Sequence, residues 1–91
     1  MSEVSRTVLI ANRRGLHARA SAKFVTLASS QPCEVSVVKD GAGQVTGTSI
    51  MGLMMLGAAM GDTITISASG DGADGAVAAL VELVEARFGE E

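Results

Sequence analysis

The strongest constraint on the fold is a helical repeat of apolar residues near the C-terminus. Apolar side chains recur there at positions i, i+3, i+4, i+7 and i+11, namely Val77, Leu80, Val81, Val84 and Phe88. This spacing predicts a helix that ends near Gly89, with one apolar stripe that must be buried against another element. The preceding residues 69–75 combine glycines with Asp71 and Asp74, so one of these aspartates is expected to cap the helix.

Four other segments have the character of strands. They are Ser5–Ala11, Cys33–Lys39, Gln44–Thr48 and Thr63–Ala68. Asp40-Gly41 is a hairpin signal between the second and third, and Gly47 weakens the third, which we expect to be an edge strand. Alternation predicts an inward face made of Val4, Val8, Ile10, Cys33, Val35, Val37, Ile64 and Ile66.

Two more helices are predicted. Ala18–Ser29 contains neither Gly nor Pro and has a helical apolar face made of Ala20, Phe24, Leu27 and Ala28. A shorter helix is expected to begin after Ser49, a good N-cap, and to end at Gly57. Its apolar residues Ile50, Leu53 and Met54 follow helical spacing, and Gly52 weakens its interior.

The resulting order is β-α-β-β-α-β-α, in a single domain over residues 1–91. Strands with one apolar face indicate an antiparallel sheet, and helices with one apolar stripe suit packing on that face. The predicted class is therefore α+β. With two Phe and no Trp or Tyr, the core must consist mainly of aliphatic side chains.

Composition argues against several classes of function. A net charge of −3 and only two aromatic residues disfavour a nucleic-acid-binding domain. Cys33 is the only cysteine, which excludes an internal disulfide, fits a reducing compartment and predicts an inert buried thiol. One Cys and one His without clustered carboxylates leave no zinc site, and no signal peptide or membrane-spanning run is present. We expect a cytoplasmic monomer without cofactor or metal.

The only histidine, His17, stands between the first predicted strand and the first helix. The free N–H groups and positive dipole end of a helix N-terminus favour an anion such as phosphate and disfavour an imidazolium. A neutral imidazole there would be a nucleophile beside a phosphate-binding site. Arg19 adds a guanidinium suited to phosphate oxygens. Arg13 and Arg14 fit either a solvated loop or docking to an acidic partner.

The segment Asn12–Ala22, which contains Gly15-Leu16-His17-Ala18-Arg19, resembles the active-site segment of the HPr family. These are histidine phosphocarriers of the bacterial phosphoenolpyruvate-dependent phosphotransferase system, and the nitrogen-branch NPr proteins are their relatives. The resemblance covers the whole chain. It implies an open-faced β-sandwich, with a four-stranded antiparallel sheet beneath three helices. The family usually has Pro where this chain has Ala20, so we expect slightly altered pocket geometry and retained activity.

By this resemblance, His17 accepts a phosphoryl group from phospho-Enzyme I and passes it to IIA-type proteins. Arg19 and the backbone N–H groups of Ala18 and Arg19 would hold the phosphate. The chain would then be a carrier with a transient phosphohistidine, not a stand-alone enzyme. Sugar uptake and a nitrogen-related regulatory branch both remain open as its pathway.

The segment after Thr48 resembles the family's regulatory phosphorylation site, which implies that Ser49 is a substrate of an HPr serine kinase/phosphorylase. Ile50, Met51, Met54 and Met55 are candidates for partner docking. A short helix has one inward stripe, so we expect Met54 in the core and at least one of Met51 and Met55 partly exposed. The alternative is a non-transferring interaction module that works through Ser49 and this Met-rich helix.

Overall fold

The computed structural model describes residues 3–90. Its elements are β1 (Glu3–Leu9), α1 (Ala18–Ser29), β2 (Val35–Lys39), β3 (Gly43–Thr46), α2 (Ile50–Met55), β4 (Thr63–Ser69), α3 (Ala73–Glu85) and a 3-10 turn (Arg87–Gly89). The strands form one antiparallel sheet in the order β1-β4-β2-β3. The predicted α+β class, with a four-stranded open sheet and three helices, is confirmed.

The core lies between the helices and one face of the sheet. The predicted apolar stripe of α3 is buried along its whole length, and α1 contributes Ala20, Phe24 and Ala28. The two phenylalanines, Phe24 and Phe88, are the largest fully buried side chains, and the residues around them are aliphatic or Ala. Each buried side chain of this size contributes about 1.5–3 kcal/mol. The opposite face of the sheet carries hydroxyls, including the pairs Ser5–Ser67 and Thr7–Thr65.

All four strands differ from the prediction by one or two residues at one end or both, and they run Glu3–Leu9, Val35–Lys39, Gly43–Thr46 and Thr63–Ser69. β1 ends at Leu9 because the backbone of Ile10 bonds to a loop, with its N–H on the Asp62 carbonyl at 2.8 Å. β2 begins at Val35, and Cys33 is half-buried beside the core and not buried within a strand. β3 lies at the sheet edge, as predicted.

The beginning of α3 was predicted wrongly. Its N-cap is Gly72, which has a φ of 83° and makes no side-chain hydrogen bond, whereas Asp71 and Asp74 are both exposed. A Cβ at Gly72 would overlap the ring of Pro32, so close packing of two distant segments determines this cap. Asp74 still lies in the first turn, where a carboxylate interacts favourably with the helix dipole.

The end of α3 also differs. The helix stops at Glu85, and the chain continues through Arg87 and Phe88 with φ values of 58° and 56°. Residues other than Gly seldom adopt this left-handed conformation. This conformation allows the Phe88 ring to be buried in the core. The prediction that Phe88 is buried is confirmed, but Phe88 lies in the turn after α3 and not in a continuation of the helix. Among residues 3–90, no helix has the length and apolar character needed to cross a membrane.

Candidate functional site

His17 is the N-cap of α1. Its backbone is extended, with φ −71° and ψ 179°, and its carbonyl accepts the first helical hydrogen bond from the N–H of Ser21 at 2.8 Å. The imidazole Nδ1 accepts a hydrogen bond from the backbone N–H of Arg19 at 3.2 Å. The imidazole therefore acts as a helix N-cap, a role that Ser, Thr, Asp or Asn side chains usually have. The sequence predicts this location at the helix N-terminus.

The loop before His17 is held against the loop that follows α2. The N–H of Leu16 donates to the carbonyl of Ala58 at 3.0 Å, and Gly15 has a φ of 61°. A Cβ at Gly15 would overlap that same Ala58 carbonyl, so only glycine allows the two backbones to approach this closely. This contact joins the segment before His17 to the loop that follows the Met-rich helix.

The second ring nitrogen of His17 contacts a residue from the far end of the chain. Nε2 lies 2.5 Å from Oε2 of Glu90, and both side chains are mostly buried. The other carboxylate oxygen accepts a hydrogen bond from Asn12 Nδ2 at 3.2 Å, and the same amide nitrogen donates to the carbonyl of Gly15 at 2.9 Å. Glu90 thus contacts His17 and Asn12, and Glu91 lies outside the described residues.

These contacts determine the protonation of the ring. Because Nδ1 accepts a hydrogen bond, it carries a lone pair, so Nε2 carries the proton and donates it to Glu90. The pKa of the Glu90 carboxyl is lowered chiefly by the hydrogen bond from His17, with further lowering by Asn12 and the charge of Arg14. A neutral imidazole with Nδ1 facing a helix N-terminus is suited to nucleophilic attack on phosphorus.

The residues around Nδ1 are suited to receive a phosphoryl group. The N–H of Arg19 already points at Nδ1, and Ala18 and Arg19 lie in the exposed first turn of α1. Ala20, which stands where the family usually has Pro, is buried. Because alanine has a backbone N–H and proline has none, the first turn of α1 keeps one more hydrogen-bond donor. The Arg19 side chain is exposed, and within residues 3–90 it forms no ion pair. Arg13 and Arg14 are exposed in the preceding loop.

Ser49 is the N-cap of α2, as predicted, and its Oγ accepts a hydrogen bond from the N–H of Gly52 at 2.9 Å. Leu53 is the only residue of this short helix that is buried. The prediction that Met54 belongs to the core is wrong, because its side chain is 43% exposed. Met51 and Met55 are 70% and 77% exposed, which confirms the expectation for these two residues.

Apolar exposure at α2 has a structural cause. The helix has six residues, α1 and β3 cover one side of it, and its inward side is filled by Leu53. Ile50 is also exposed, and Met60 in the following loop adds a further exposed apolar side chain. Large apolar side chains grouped in this way on a small protein are typical of a binding surface. We refer to Ile50, Met51, Met54, Met55 and Met60 as the methionine surface.

The sequence indicated His17, Arg19 and Ser49 but assigned no role to Asn12 and did not pair Glu90 with His17. Asn12 is 1% exposed, an unusual burial for an amide side chain in a polar loop. Its Oδ1 has no hydrogen-bond partner within residues 3–90. The only indication of a role for Asn12 in the sequence was its position in the polar loop just before His17. That signal could not show which group the amide would bind.

Comparisons with known proteins agree with this geometry. Residues 4–86 match the family model PTS-HPr, described as the PTS HPr component phosphorylation site. The phosphocarrier protein NPr of Shewanella violacea is 42% identical over 90 residues, which cover 99% of this chain and 98% of the relative. The phosphocarrier protein HPr of Pseudomonas aeruginosa is 46% identical, with 91% and 92% covered.

A solved structure shows the same architecture. The crystal structure of HPr-C-His from Thermoanaerobacter tengcongensis superposes with a TM-score of 0.89 at 46% identity, and it covers 100% of this chain and 99% of that one. Similarity thus extends over the whole sheet, all three helices and the loop that holds the imidazole. The chain belongs to the PTS-HPr family and is a phosphocarrier of the phosphotransferase system.

Proposed function

We propose that His17 is the phosphoryl acceptor, and that it takes the group from a phosphohistidine of Enzyme I and passes it to a histidine of an IIA-type protein. The observation that carries this proposal is the position of Nδ1, which caps α1 with its lone pair toward the backbone N–H of Arg19. A phosphoryl group on this nitrogen would lie at the positive end of the helix dipole.

Arg19 is proposed to neutralise the transferred group. Its guanidinium has no ion-pair partner among residues 3–90, so a phosphoryl group would not have to displace a carboxylate. The N–H groups of Ala18 and Arg19 would donate to the phosphate oxygens. Transfer of this kind depends chiefly on positioning and charge neutralisation, and none of these steps needs a metal or cofactor on this chain.

The methionine surface is proposed as the docking site for donor and acceptor. Ile50, Met51, Met54 and Met55 are exposed beside α1, and flexible thioether side chains can adapt to several partners. His17 lines none of the three cavities described for residues 3–90, and we propose that each partner supplies part of the reaction site. We propose that the protein works as a monomer in the cytoplasm, as the sequence predicts.

Ser49 is proposed as a regulatory phosphorylation site for an HPr serine kinase/phosphorylase. Its Oγ already accepts the N–H of Gly52, and phosphate oxygens could accept the same hydrogen bond. The fold should therefore tolerate the modification. Its effect would come from placing negative charge next to the methionine surface, which raises the desolvation cost of docking.

The test is intact mass after incubation with phosphoenolpyruvate, magnesium and Enzyme I from the same organism. Wild type should gain one phosphoryl group that is lost in acid and kept in alkali, the behaviour of phosphohistidine. His17→Ala should gain none, and Ser29→Ala, which alters an exposed hydroxyl on the same helix, should behave like wild type. A phosphoryl adduct on His17→Ala would contradict the assignment.

The alternative of a non-transferring interaction module is supported by the exposed methionine surface alone. It predicts that His17→Ala keeps full function in a partner-binding assay, whereas Met51→Ala or Ser49→Asp abolishes it. Absence of any adduct on wild type, with active Enzyme I, would favour this alternative.

A further inference from the structure

The methionines of this chain are concentrated on one surface. Four of the five methionines in the sequence lie within residues 51–60, and all four belong to the methionine surface. The exposed fractions of their side chains are 77% for Met55, 70% for Met51, 58% for Met60 and 43% for Met54. Side chains exposed to this degree present their thioether sulfurs to oxidants dissolved in water.

The buried core is built without methionine among residues 3–90. Its members are aliphatic residues, alanines and the two phenylalanines. Cys33, the other sulfur-containing residue that the structure describes, is half-buried against this core. Oxidation of the exposed methionines therefore adds polar atoms where the chain faces water and leaves the buried packing unchanged.

Oxidation alters the property on which docking by the methionine surface depends. A thioether is flexible, apolar and polarizable, whereas a sulfoxide is polar and chiral. A sulfoxide in a docked interface loses its hydration, and burial of a polar group without a hydrogen-bond partner is unfavourable. Because Ser49 begins the same helix, phosphate at Ser49 and a sulfoxide on α2 would oppose docking for the same reason.

The imidazole of His17 is insulated from this change. Its two ring nitrogens contact the backbone N–H of Arg19 and the carboxylate of Glu90, and no methionine takes part in these hydrogen bonds. We therefore expect oxidation to affect reactions that need a docked protein and to leave the intrinsic reactivity of the ring unchanged.

We propose that the methionine surface is a site of reversible sulfoxidation by peroxide, and that oxidation of Met51 and Met55 weakens docking of the phosphoryl donor and acceptors. The proposal rests on the proposed docking role of this surface. It assigns to these side chains a modification that switches partner recognition without unfolding the protein.

The oxidation step balances with hydrogen peroxide as the oxidant. A lone pair of the thioether sulfur attacks one peroxide oxygen, and the S–O bond forms while the O–O bond breaks. The proton of the attacked oxygen passes to the departing hydroxide, which leaves as water. The sulfur is oxidised and the peroxide is reduced. A methionine sulfoxide reductase reverses the change with thiols, which are oxidised to a disulfide while the sulfoxide oxygen is released as water.

The test compares two phosphoryl donors. Potassium phosphoramidate is a small donor that requires no protein partner, whereas phospho-Enzyme I must dock. The protein is treated with hydrogen peroxide, the oxidised residues are located by peptide mass spectrometry, and both reactions are followed by intact mass. Each rate is expressed relative to the same protein before treatment. Cys33→Ala is run beside wild type to separate thiol oxidation from thioether oxidation, and Met1 is common to all the proteins compared.

Met55 and Met51 should gain oxygen before Met54, in the order of their exposure. Wild type and Cys33→Ala should then both lose about 10-fold in kcat/KM with phospho-Enzyme I, through a higher KM, and should react with phosphoramidate at an unchanged rate. Treatment with methionine sulfoxide reductase and dithiothreitol should restore the rate with phospho-Enzyme I. In the double variant Met51→Leu, Met55→Leu, peroxide should lower that rate by less than about 2-fold, because leucine forms no sulfoxide.

An unchanged rate with phospho-Enzyme I after oxidation of Met51 and Met55 would overturn the proposal. An equal fall with both donors would do the same, since it would place the effect at His17. So would an equal loss in the double leucine variant, because the two sulfur atoms would then not be its cause. A melting temperature that falls on oxidation in step with the transfer rate would show unfolding and not a docking effect.

The outcome is separable from a failure of the proposed function. Met51→Lys places a charge on the same surface without oxidation. If this variant slows transfer from phospho-Enzyme I but oxidised wild type does not, docking by the methionine surface stands and the role of sulfoxidation is refuted. If neither change slows transfer, the docking role is refuted as well.

Discussion

The N-termini of α1 and α2 are each capped by a side chain that accepts a backbone N–H of the first turn, but the two side chains differ. At α1, an imidazole nitrogen accepts the N–H of Arg19 at 3.2 Å, and at α2 the hydroxyl of Ser49 accepts the N–H of Gly52 at 2.9 Å. The difference lies in what holds each cap. Within residues 3–90 the Ser49 hydroxyl bonds only to its own helix, whereas His17 also contacts a carboxylate 73 positions away. The contact with Glu90 thus distinguishes the His17 side chain, a candidate reactive group, from the Ser49 side chain, which only caps its helix.

A substitution that replaces the imidazole but keeps a helix cap separates the two roles of His17. His17→Ser should preserve α1, because serine is a favoured N-cap, but it should lower phosphoryl acceptance by at least about 1,000-fold, since the nucleophile is lost. Thermal melts measure the first effect and intact mass the second. Phosphoryl uptake by His17→Ser at the wild-type rate would show that the imidazole is only a cap.

The α1 cap also depends on the close approach of Gly15 to Ala58. Gly15→Ala should lower the free energy of unfolding by about 3 kcal/mol, because it combines a left-handed φ of 61° with overlap on a backbone carbonyl. Gly41→Ala is the control: its φ is 84°, and no atom lies within 4 Å of the added Cβ, so about 1 kcal/mol is expected. Equal losses in urea titrations of the two variants would refute the tight contact.

Only the α1 cap is expected to need a neighbouring guanidinium. Arg19→Ala should slow phosphoryl transfer from Enzyme I about 10- to 100-fold, because it removes charge-assisted hydrogen bonds to the transferred group. Arg19→Lys should lie in between, since an ammonium lacks the planar fork. Arg6→Ala, at an exposed position of β1, is the matched control and should transfer at the wild-type rate. A rate for Arg19→Ala equal to that control would remove Arg19 from the site.

At α2, the cap contributes to stability and not to the chemistry of His17. Ser49→Ala should lower the free energy of unfolding by about 1 kcal/mol, since it leaves the N–H of Gly52 without its partner, and should leave phosphorylation by phosphoramidate unchanged. Ser69→Ala, at an exposed strand end, should change stability far less. A slower phosphoramidate reaction in Ser49→Ala would mean that the two caps are coupled.

The smallest expected effect is on the pH dependence of stability. The pKa of Glu90 is lowered in the folded state from 4.5, so its ionised form contributes stability above the unfolded pKa that is lost as the pH falls through the folded pKa. The difference in melting temperature between wild type and Glu90→Gln should thus shrink as the pH falls below 4.5. A constant difference down to pH 2.5 would indicate an unperturbed carboxyl.

Much of this fold could be predicted because its signals are local. The stripe from Val77 to Phe88 and the alternation around Ile64 depend on periods of a few residues, and each corresponds to one buried face. The two caps were predictable for the same reason, since His17 and Ser49 stand directly before helical segments. The errors at Asp71 and Asp74 arose where a contact between distant segments, Pro32 against Gly72, overrode a local preference.

The order of the elements, the aliphatic core and the place of the imidazole at a helix start all follow from local patterns in the amino-acid sequence. Tertiary structure decided that Nε2 of His17 faces a carboxylate, because Glu90 reaches the ring only after α3 has packed on the sheet and the chain has turned through Arg87 and Phe88. It also decided that Met54 is exposed, since α2 is too short to bury more than one stripe. Periodicity describes one element at a time, whereas protonation and exposure depend on how separate elements meet.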